Sequence, residues 1–180
     1  HAAFAQLVLH EVATVERFAT MAALAYDSAR QRETLREQVK LDGLTGLLNH
    51  RACQERLRDA LAVALPQNQP VGVVTLDIDH FKLINDAHGH AEGDRILAGV
   101  AERLRSVVRA TDAVGRLGGE EFVLILPGVD AEGAEDCAER ARAAIAELTV
   151  RGRPLESSAG VAAAPVDGVE ATVLLENGDA

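Results

Sequence analysis

Hydrophobic positions repeat along the chain with two different periods, which predict an alternation of helices and strands. A period near 3.6 residues predicts helices at Arg51–Leu65, Ala91–Arg109 and Ala131–Leu148, and a shorter one at Val169–Asn177. Runs of apolar and β-branched residues predict strands at Val71–Asp79 and Leu155–Ala163. The segments Ala113–Leu117 and Glu121–Leu126 flank Gly118-Gly119 and predict a hairpin.

The first forty residues carry a different pattern. Small and apolar residues recur at alternating spacings of four and three, and Ala2–Lys40 contains neither glycine nor proline. This spacing predicts a helix that packs on another helix. Two interpretations remain open, a dimeric stalk and an amphipathic helix that packs on its own domain. The repeating positions are Val12, Val15, Ala19, Ala22, Tyr26 and Ala29.

Composition narrows the classes of function. The 180 residues include 18 Lys and Arg and 28 Asp and Glu, a net charge of −10, which argues against binding a nucleic acid polymer. The surplus of carboxylates favours a site that depends on a cation. Cys53 and Cys137 form neither a metal motif nor a disulfide framework, so we expect a reducing, cytoplasmic compartment, with Cys137 in the core. No uncharged stretch is long enough for a membrane span.

Two pairs of carboxylates are the candidates for chemistry. Asp77 and Asp79 lie two residues apart near the end of a predicted strand, so both side chains leave the same face. Glu120 and Glu121 follow the glycine turn, where the absence of side chains lets a substrate approach the backbone. If the strand and the hairpin are neighbours, up to four carboxylates converge, as at a cation site. The alternative is that these acidic residues are merely solvated.

Residues between the two pairs suit a nucleotide. Lys82 and the backbone before it could surround a phosphate. Asn85 can donate to guanine and Asp94 can accept from it, although both residue types also cap helices. His88 and His90 without a third ligand are more typical of a turn and a helix start than of a metal site.

Three segments together resemble one known family. Leu41–Arg51 is similar to the D-x-L-T-G-L-x-N-R-R segment of GGDEF domains, Asp77–Asp94 (DIDHFKLINDAHGHAEGD) to their nucleotide segment, and Arg116–Phe122 (RLGGEEF) to their signature hairpin in its GGEEF form. The resemblance implies a diguanylate cyclase, which joins two GTP into cyclic di-GMP and releases two pyrophosphates. It also implies an α+β, palm-like (ferredoxin-like) nucleotide-cyclase fold, with a mainly antiparallel sheet flanked by helices and preceded by the long N-terminal helix.

The resemblance also implies roles for particular residues. Mg²⁺ (or Mn²⁺) would be held by Asp77, the carbonyl of Ile78, and Glu120, with Glu121 as a further ligand or acid-base group. The catalytic set is then Glu120, Glu121 and Lys82. GTP would be bound by Lys82 at the phosphates, by Asn85 and Asp94 at the guanine, by His90, and at the Gly118-Gly119 turn.

A second site is implied by the R-x-x-D segment nine residues before the first signature glycine. Arg109 and Asp112 match the family's product-inhibition site, and Arg140 matches its second arginine. Alone, R-x-x-D is a common ion pair at a helix end. A cyclic di-GMP receptor of weak catalytic activity that uses only these three residues is the alternative to an active enzyme.

The resemblance divides the chain into residues 1–40 and 41–180. The first part resembles the end of a GAF sensor that leads into a signalling helix or stalk, and we expect a homodimer to form through it. The second part is similar to a GGDEF domain. Its departures are Asn49-His50-Arg51 in place of Asn-Arg-Arg, and an end that precedes the family's Tyr-x-x-Lys-x-x-Gly-Arg-Asn run. Two explanations of that end remain open, a chain that is a piece of a longer protein and a fragment that binds GTP weakly.

Overall fold

The computed structural model describes Met21 and residues 40–177, and the chain divides into two compact units, His1–Val39 and Lys40–Ala180. Met21 is helical and exposed. The predicted seam Val12–Ala29, apart from that one residue, lies outside the described residues, and so does the long N-terminal helix as a whole. Every element named below belongs to the second unit.

A five-stranded mixed sheet forms the centre of this unit, in the order β1-β3-β4-β2-β7. Strand β1 runs parallel to β3, whereas the other neighbours are antiparallel. A separate two-stranded hairpin is formed by β5 and β6. The strands are β1 (Leu48–Asn49), β2 (Val71–Ile78), β3 (Ala113–Gly118), β4 (Glu121–Pro127), β5 (Thr149–Val150), β6 (Arg153–Pro154) and β7 (Ser157–Ala164). The prediction of an α+β fold with a mainly antiparallel sheet is confirmed.

Five described helices cover the two faces of the sheet. They are α1 (His50–Ala64), α2 (Phe81–His88), α3 (His90–Val107), α4 (Ala131–Ala146) and α5 (Ala171–Asn177), and a 3-10 turn, Leu65–Gln67, follows α1. Successive residues of β2 enter different cores, because side chains alternate across a strand. Val74 packs with α2, α3 and α4, whereas Val73 packs with α1 and α5. Burial on both faces explains why β2 is almost continuously apolar.

The helix starts differ from one another in their caps. The Asn49 side chain accepts a hydrogen bond from Ala52 N–H (3.0 Å) at the start of α1, and Asp130 accepts from Gly133 N–H (3.0 Å) at α4. Helices α2 and α3 follow residues with positive φ, His80 (61°) and Gly89 (85°), and neither has a side-chain cap.

The alternative that Asn85 and Asp94 cap helices is therefore wrong. Asn85 lies inside α2 and Asp94 inside α3. The pattern did not predict α2 as a helix, because its eight residues span only about two turns, too few for a 3.6-residue period to stand out. The other predicted helices and strands are confirmed to within about two residues at most ends.

A close contact joins α1 to the sheet. Cys53 is fully buried and its thiol donates to Leu48 O (3.6 Å), while burial raises the pKa of Cys53 to about 12. Gly115 lies opposite Leu48 in β3, where an added Cβ would collide with Cys53 Sγ and lie 3.0 Å from Leu48 O. Glycine at this position is thus required by packing. Cys137 is also buried, as predicted.

We predict that Gly115→Ala lowers the free energy of unfolding by about 1–3 kcal/mol, the usual cost of overpacking a core. Removing the sulfur in Cys53→Ala frees the space, so the double variant should be more stable than the sum of the two single losses implies. Urea unfolding of the four proteins measures this coupling. Purely additive losses would contradict the contact.

Candidate functional site

Three strands place polar residues side by side at one end of the sheet. Asp77 of β2 lies opposite Glu121 of β4 and, on its other side, opposite Ser158 of β7. Directly opposed residues of antiparallel strands share a face, with Cβ atoms about 4.5–5.5 Å apart. Asp77, Glu121 and Ser158 are exposed, whereas Thr75, two residues before Asp77, is buried. The helices therefore cover this face only as far as Asp77, Glu121 and Ser158, three residues that we call the polar row.

The turn between β3 and β4 opens beside this row. Strand β3 ends at Gly118 after a register shift, Gly119 has a φ of +45°, and Glu120 is half-buried. An added Cβ at Gly118 or Gly119 would meet no atom within 4 Å. The glycines thus leave open space next to the two glutamates, which a substrate can occupy.

Arg116 fixes the geometry of this turn. Its Nε and Nη2 both donate to the carbonyl of Gly119, at 3.0 and 2.7 Å. Its Nη1 donates to Asp42 Oδ1 (3.1 Å), and that oxygen also accepts from the backbone N–H (2.9 Å) and hydroxyl (2.6 Å) of Thr45. One guanidinium therefore connects the glycine turn to the loop of residues 41–47, which we call the Asp42 loop.

The sequence patterns did not identify this connection. Asp42 and Arg116 each belong to one of the family's motifs, but they are 74 residues apart, so neither motif alone indicates the contact. Burial by itself would raise the pKa of Asp42, but hydrogen bonds from the Thr45 side chain and backbone and the charge and hydrogen bond of Arg116 together hold it below its ordinary value of 3.8. Asp42 is therefore ionised at neutral pH, as its contact with Arg116 requires.

The connection from β2 to α2 contains a strained turn. His80 adopts the left-handed region, and Lys82 is exposed in the first turn of α2. Asp79, just before His80, donates from its backbone N–H to Glu156 O (3.1 Å) and accepts from the Ser158 hydroxyl at Oδ1 (2.8 Å). Its carboxylate is thus engaged on the β7 side of β2.

The expected convergence of four carboxylates is not observed. Among the residues that the structure describes, no three His, Cys, Asp or Glu side chains are grouped closely enough to hold a metal ion. Asp79 is bound to Ser158 of β7, which pairs with the other edge of β2 from β4. What remains at the row is Asp77 opposite Glu121, with Glu120 in the adjoining turn.

These residues nevertheless fit a divalent cation. Carboxylate and carbonyl oxygens are the ligands that Mg²⁺ prefers, and Ile78 brings its carbonyl next to Asp77 at the end of β2. Like charges directly opposite each other destabilise a sheet, and a cation between Asp77 and Glu121 would remove that cost.

Helices α2 and α3 bring together the residues expected at guanine. Asn85 lies against Gly93 of α3, where an added Cβ would collide with its side chain, and its buried Oδ1 has no hydrogen-bond partner. Asp94 and His90 are exposed on α3, and His90 is its first residue. The two helices thus carry an amide and an exposed carboxylate, groups that can form hydrogen bonds with a polar ligand.

The second predicted site lies around Cys137. Burial is the main cause that raises the pKa of this thiol, and the charges of Arg140, Asp112 and Arg109 all act on it. Asp112 Oδ2 accepts from the backbone N–H of Arg109 (2.8 Å), so the R-x-x-D segment forms a closed turn rather than an ion pair. The two arginine side chains are exposed.

A further residue, Arg56, also contacts this segment. Its Nη2 donates to the carbonyl of Thr111 (2.9 Å), within the R-x-x-D turn. Arg56 belongs to α1, 55 residues earlier in the chain, and nothing in its local sequence pattern marks the contact.

The fold and the polar row define a class, the palm-like α+β nucleotide-cyclase domain. The family model described as "Diguanylate cyclase, GGDEF domain" matches residues 39–180. The chain therefore belongs to the family of diguanylate cyclase GGDEF domains, which confirms the family resemblance.

Relatives and solved structures agree with this assignment. Diguanylate cyclase DgcP of Pseudomonas aeruginosa is 40% identical over 155 residues, which cover 84% of this chain and 23% of DgcP. A sensory box/GGDEF family protein from Caulobacter crescentus is 38% identical, with a TM-score of 0.72 over 78% of this chain and 94% of its own. The GGDEF domain of DgcB from Caulobacter crescentus, solved with c-di-GMP, is 31% identical with a TM-score of 0.71, covering 78% and 83%.

The chain spans about a quarter of the length of the first curated relatives, 23%, 21% and 24%. Within the described part of the chain, every helix is too short or too polar to cross a membrane.

We predict a pH-dependent stability from Asp42. Because its pKa is lower in the folded protein, its ionised form adds stability above the unfolded value near 3.8, and this stability is lost as the pH falls through the folded pKa. Asp42→Asn should therefore lower the free energy of unfolding by about 1 kcal/mol at pH 7 and by less near pH 3.

Thermal unfolding from pH 3 to pH 7 measures this difference. Glu139→Gln is the matched control, because it removes the exposed Glu139–Arg142 ion pair and leaves the Asp42 loop intact. An effect of Asp42→Asn that does not vary with pH would contradict the role of its charge.

Proposed function

We propose that this chain is the output domain of a diguanylate cyclase, which condenses two GTP into cyclic di-GMP and releases two pyrophosphates. The observation that carries the proposal is the pairing of Asp77 with Glu121 beside the open Gly118-Gly119 turn. A place for cations and a place for a triphosphate then adjoin each other. Membership of the GGDEF family, with relatives named diguanylate cyclases, supports the same conclusion.

Mg²⁺ or Mn²⁺ is held in this proposal by Asp77, the Ile78 carbonyl and Glu120, with Glu121 as a further ligand or acid-base group. When bound, the cations lower the pKa of the attacking 3′-hydroxyl and offset the charge of the leaving pyrophosphate. The role of Arg116 is to hold the carbonyl of Gly119, so that the turn carries Glu120 in one position.

The nucleotide lies between α2, α3 and the glycine turn. Lys82 neutralises part of the triphosphate charge, and the N–H groups at the start of α2 donate to phosphate oxygens. Asn85 and Asp94 read the edge of guanine, with His90 in the same pocket. Asn85 packs against Gly93, where an added Cβ would collide with its side chain, and this contact between α2 and α3 supports a fixed position for its amide.

The reaction requires two domains. Each domain holds one GTP, and each 3′-hydroxyl must face the α-phosphate of the other nucleotide, so one domain alone cannot complete the ring. Residues 1–40 form the signalling helix that joins two copies into a homodimer and transmits the state of an upstream sensor, and residues 41–180 form the cytoplasmic catalytic domain.

Product inhibition is assigned to Arg109, Asp112 and Arg140. Two exposed guanidinium groups next to a closed turn suit the phosphates and guanine edges of cyclic di-GMP. The charges of all three residues act on the same buried thiol, which supports a shared site. The solved complex of DgcB with c-di-GMP supports this class of ligand.

We expect Glu120→Ala to abolish formation of cyclic di-GMP and to leave the fold intact, because the residue lies in a surface turn and outside both cores. Incubation with GTP and Mg²⁺, followed by chromatography of the products, measures the activity. Glu135→Ala removes an exposed carboxylate of α4 and is the matched control. Turnover at the wild-type rate in Glu120→Ala would contradict the assignment.

We expect Arg109→Ala to raise the inhibition constant of cyclic di-GMP about tenfold or more and to preserve activity, because a charge-assisted ligand contact is lost away from the glycine turn. Initial rates at increasing cyclic di-GMP measure this, with Arg58→Ala on α1 as the exposed control. Equal inhibition of the wild type and Arg109→Ala would contradict it. If the wild-type chain binds cyclic di-GMP but does not form it from GTP, the result would favour the alternative function, a cyclic di-GMP receptor.

A further inference from the structure

Ser158 is a polar residue at the site for which the sequence patterns indicated no role. It lies on β7, opposite Asp77, and completes the row Glu121–Asp77–Ser158 across three strands. Its hydroxyl donates to Asp79 Oδ1 at 2.8 Å, an ordinary distance for a hydrogen bond from a hydroxyl. Ser158 therefore contacts the carboxylate just beyond the cation-binding position.

Asp79 is held at two points, one just before β7 and one within it. Its backbone N–H donates to Glu156 O (3.1 Å), the residue before β7, and its side chain accepts from Ser158 of β7. Asp79 is half-buried and is followed at once by His80, which has a φ of 61°. The two contacts fix the chain at the last residue before the left-handed turn.

The left-handed turn at His80 needs this support. A non-glycine residue in this region costs about 1–2 kcal/mol and persists only when its surroundings enforce it. On its far side, the buried Phe81 anchors the first residue of α2 in the core. No side chain caps the helix at His80, so the bonds of Asp79 are the nearest constraint on its N-terminal side.

We propose that Ser158 is a positioning residue: through Asp79 it holds the left-handed turn at His80, and thereby keeps Lys82 and the first N–H groups of α2 aligned with Asp77 for the triphosphate. This role rests on the proposed function, because it concerns the phosphates of the same nucleotide. The residues proposed to read the base, Asn85 and Asp94, lie further along α2 and α3, and Asn85 is held by its packing against Gly93, so we expect base binding to be independent of Ser158.

The adjacent serine provides a matched control. Ser157 is buried, lies opposite Ile78, and its hydroxyl has no hydrogen-bond partner. Its neighbour Ser158 differs in that its hydroxyl is bonded to Asp79. Ser157→Ala thus removes the same group one position away without removing a contact.

The test compares binding of a non-hydrolysable GTP analogue with binding of guanosine, in the presence of Mg²⁺, for Ser158→Ala, Ser158→Thr and Ser157→Ala. Ser158→Ala should weaken the GTP analogue about tenfold, the usual loss for one charge-assisted hydrogen bond, and leave guanosine unchanged. Ser158→Thr, which retains the hydroxyl, and Ser157→Ala should bind both ligands as the wild type does. Equal weakening of both ligands by Ser158→Ala, or no weakening of either, would overturn the proposal.

A second measurement separates this proposal from the proposed function. Amide hydrogen exchange of Asp79, Leu83 and Ile84, whose N–H groups donate to Glu156 O and His80 O, should be faster in the free Ser158→Ala chain than in the wild type, and unchanged in Ser157→Ala. Absence of GTP binding by the wild type contradicts the proposed function, whereas unchanged exchange in Ser158→Ala contradicts the hold on the turn whatever the wild type binds.

A double-variant cycle tests whether Ser158 acts through Asp79. If it does, Ser158→Ala should add nothing to the loss caused by Asp79→Ala, because the contact is already absent. Asp79→Asn keeps an acceptor oxygen for the hydroxyl and should retain most GTP binding. Additive losses would show that Ser158 does not act through Asp79. A loss in Asp79→Asn as large as in Asp79→Ala would show that Asp79 acts by its charge.

Discussion

The antiparallel pairing of β2 with both β4 and β7 is the constraint on which the rest of the site depends. Because β2 is buried on both faces, a slip of one residue would move its whole apolar set to the wrong core, so its register is strongly specified. The same register sets Asp77 between Glu121 and Ser158. The hydrophobic layers thus decide which polar groups meet, although they contain none of them.

Two contacts restrain the turns of the site from opposite sides. Arg116 holds the carbonyl of Gly119 at one edge of the polar row, and Ser158 holds Asp79 at the other. Both turns contain a residue with positive φ, Gly119 and His80. Glycine adopts this conformation readily, whereas His80 does so at a cost, and the hydrogen bonds beside each turn favour a pre-organised site.

Arg116 also connects the Asp42 loop, near the start of this unit, to the glycine turn. The residue after the N-terminal unit is Lys40, and the Asp42 loop begins directly behind it. Asp42 accepts the Arg116 guanidinium, which in turn holds the glycine turn, and Arg105 of α3 donates to Thr45 O (3.1 Å) in the same loop. A displacement of this loop would therefore change the position of Gly119, the residue before Glu120.

The sequence by itself determined the order of most elements, the mainly antiparallel sheet, the family, and the positions of the candidate residues, because these follow from local periodicity and from contiguous motifs. It did not determine that Asp79 binds Ser158, or that Arg116 joins Asp42 to Gly119. These partners are 79 and 74 residues apart, and only the packing of the sheet brings them together. Helix α2 was missed because its eight residues span only about two turns, too few for the 3.6-residue period to stand out.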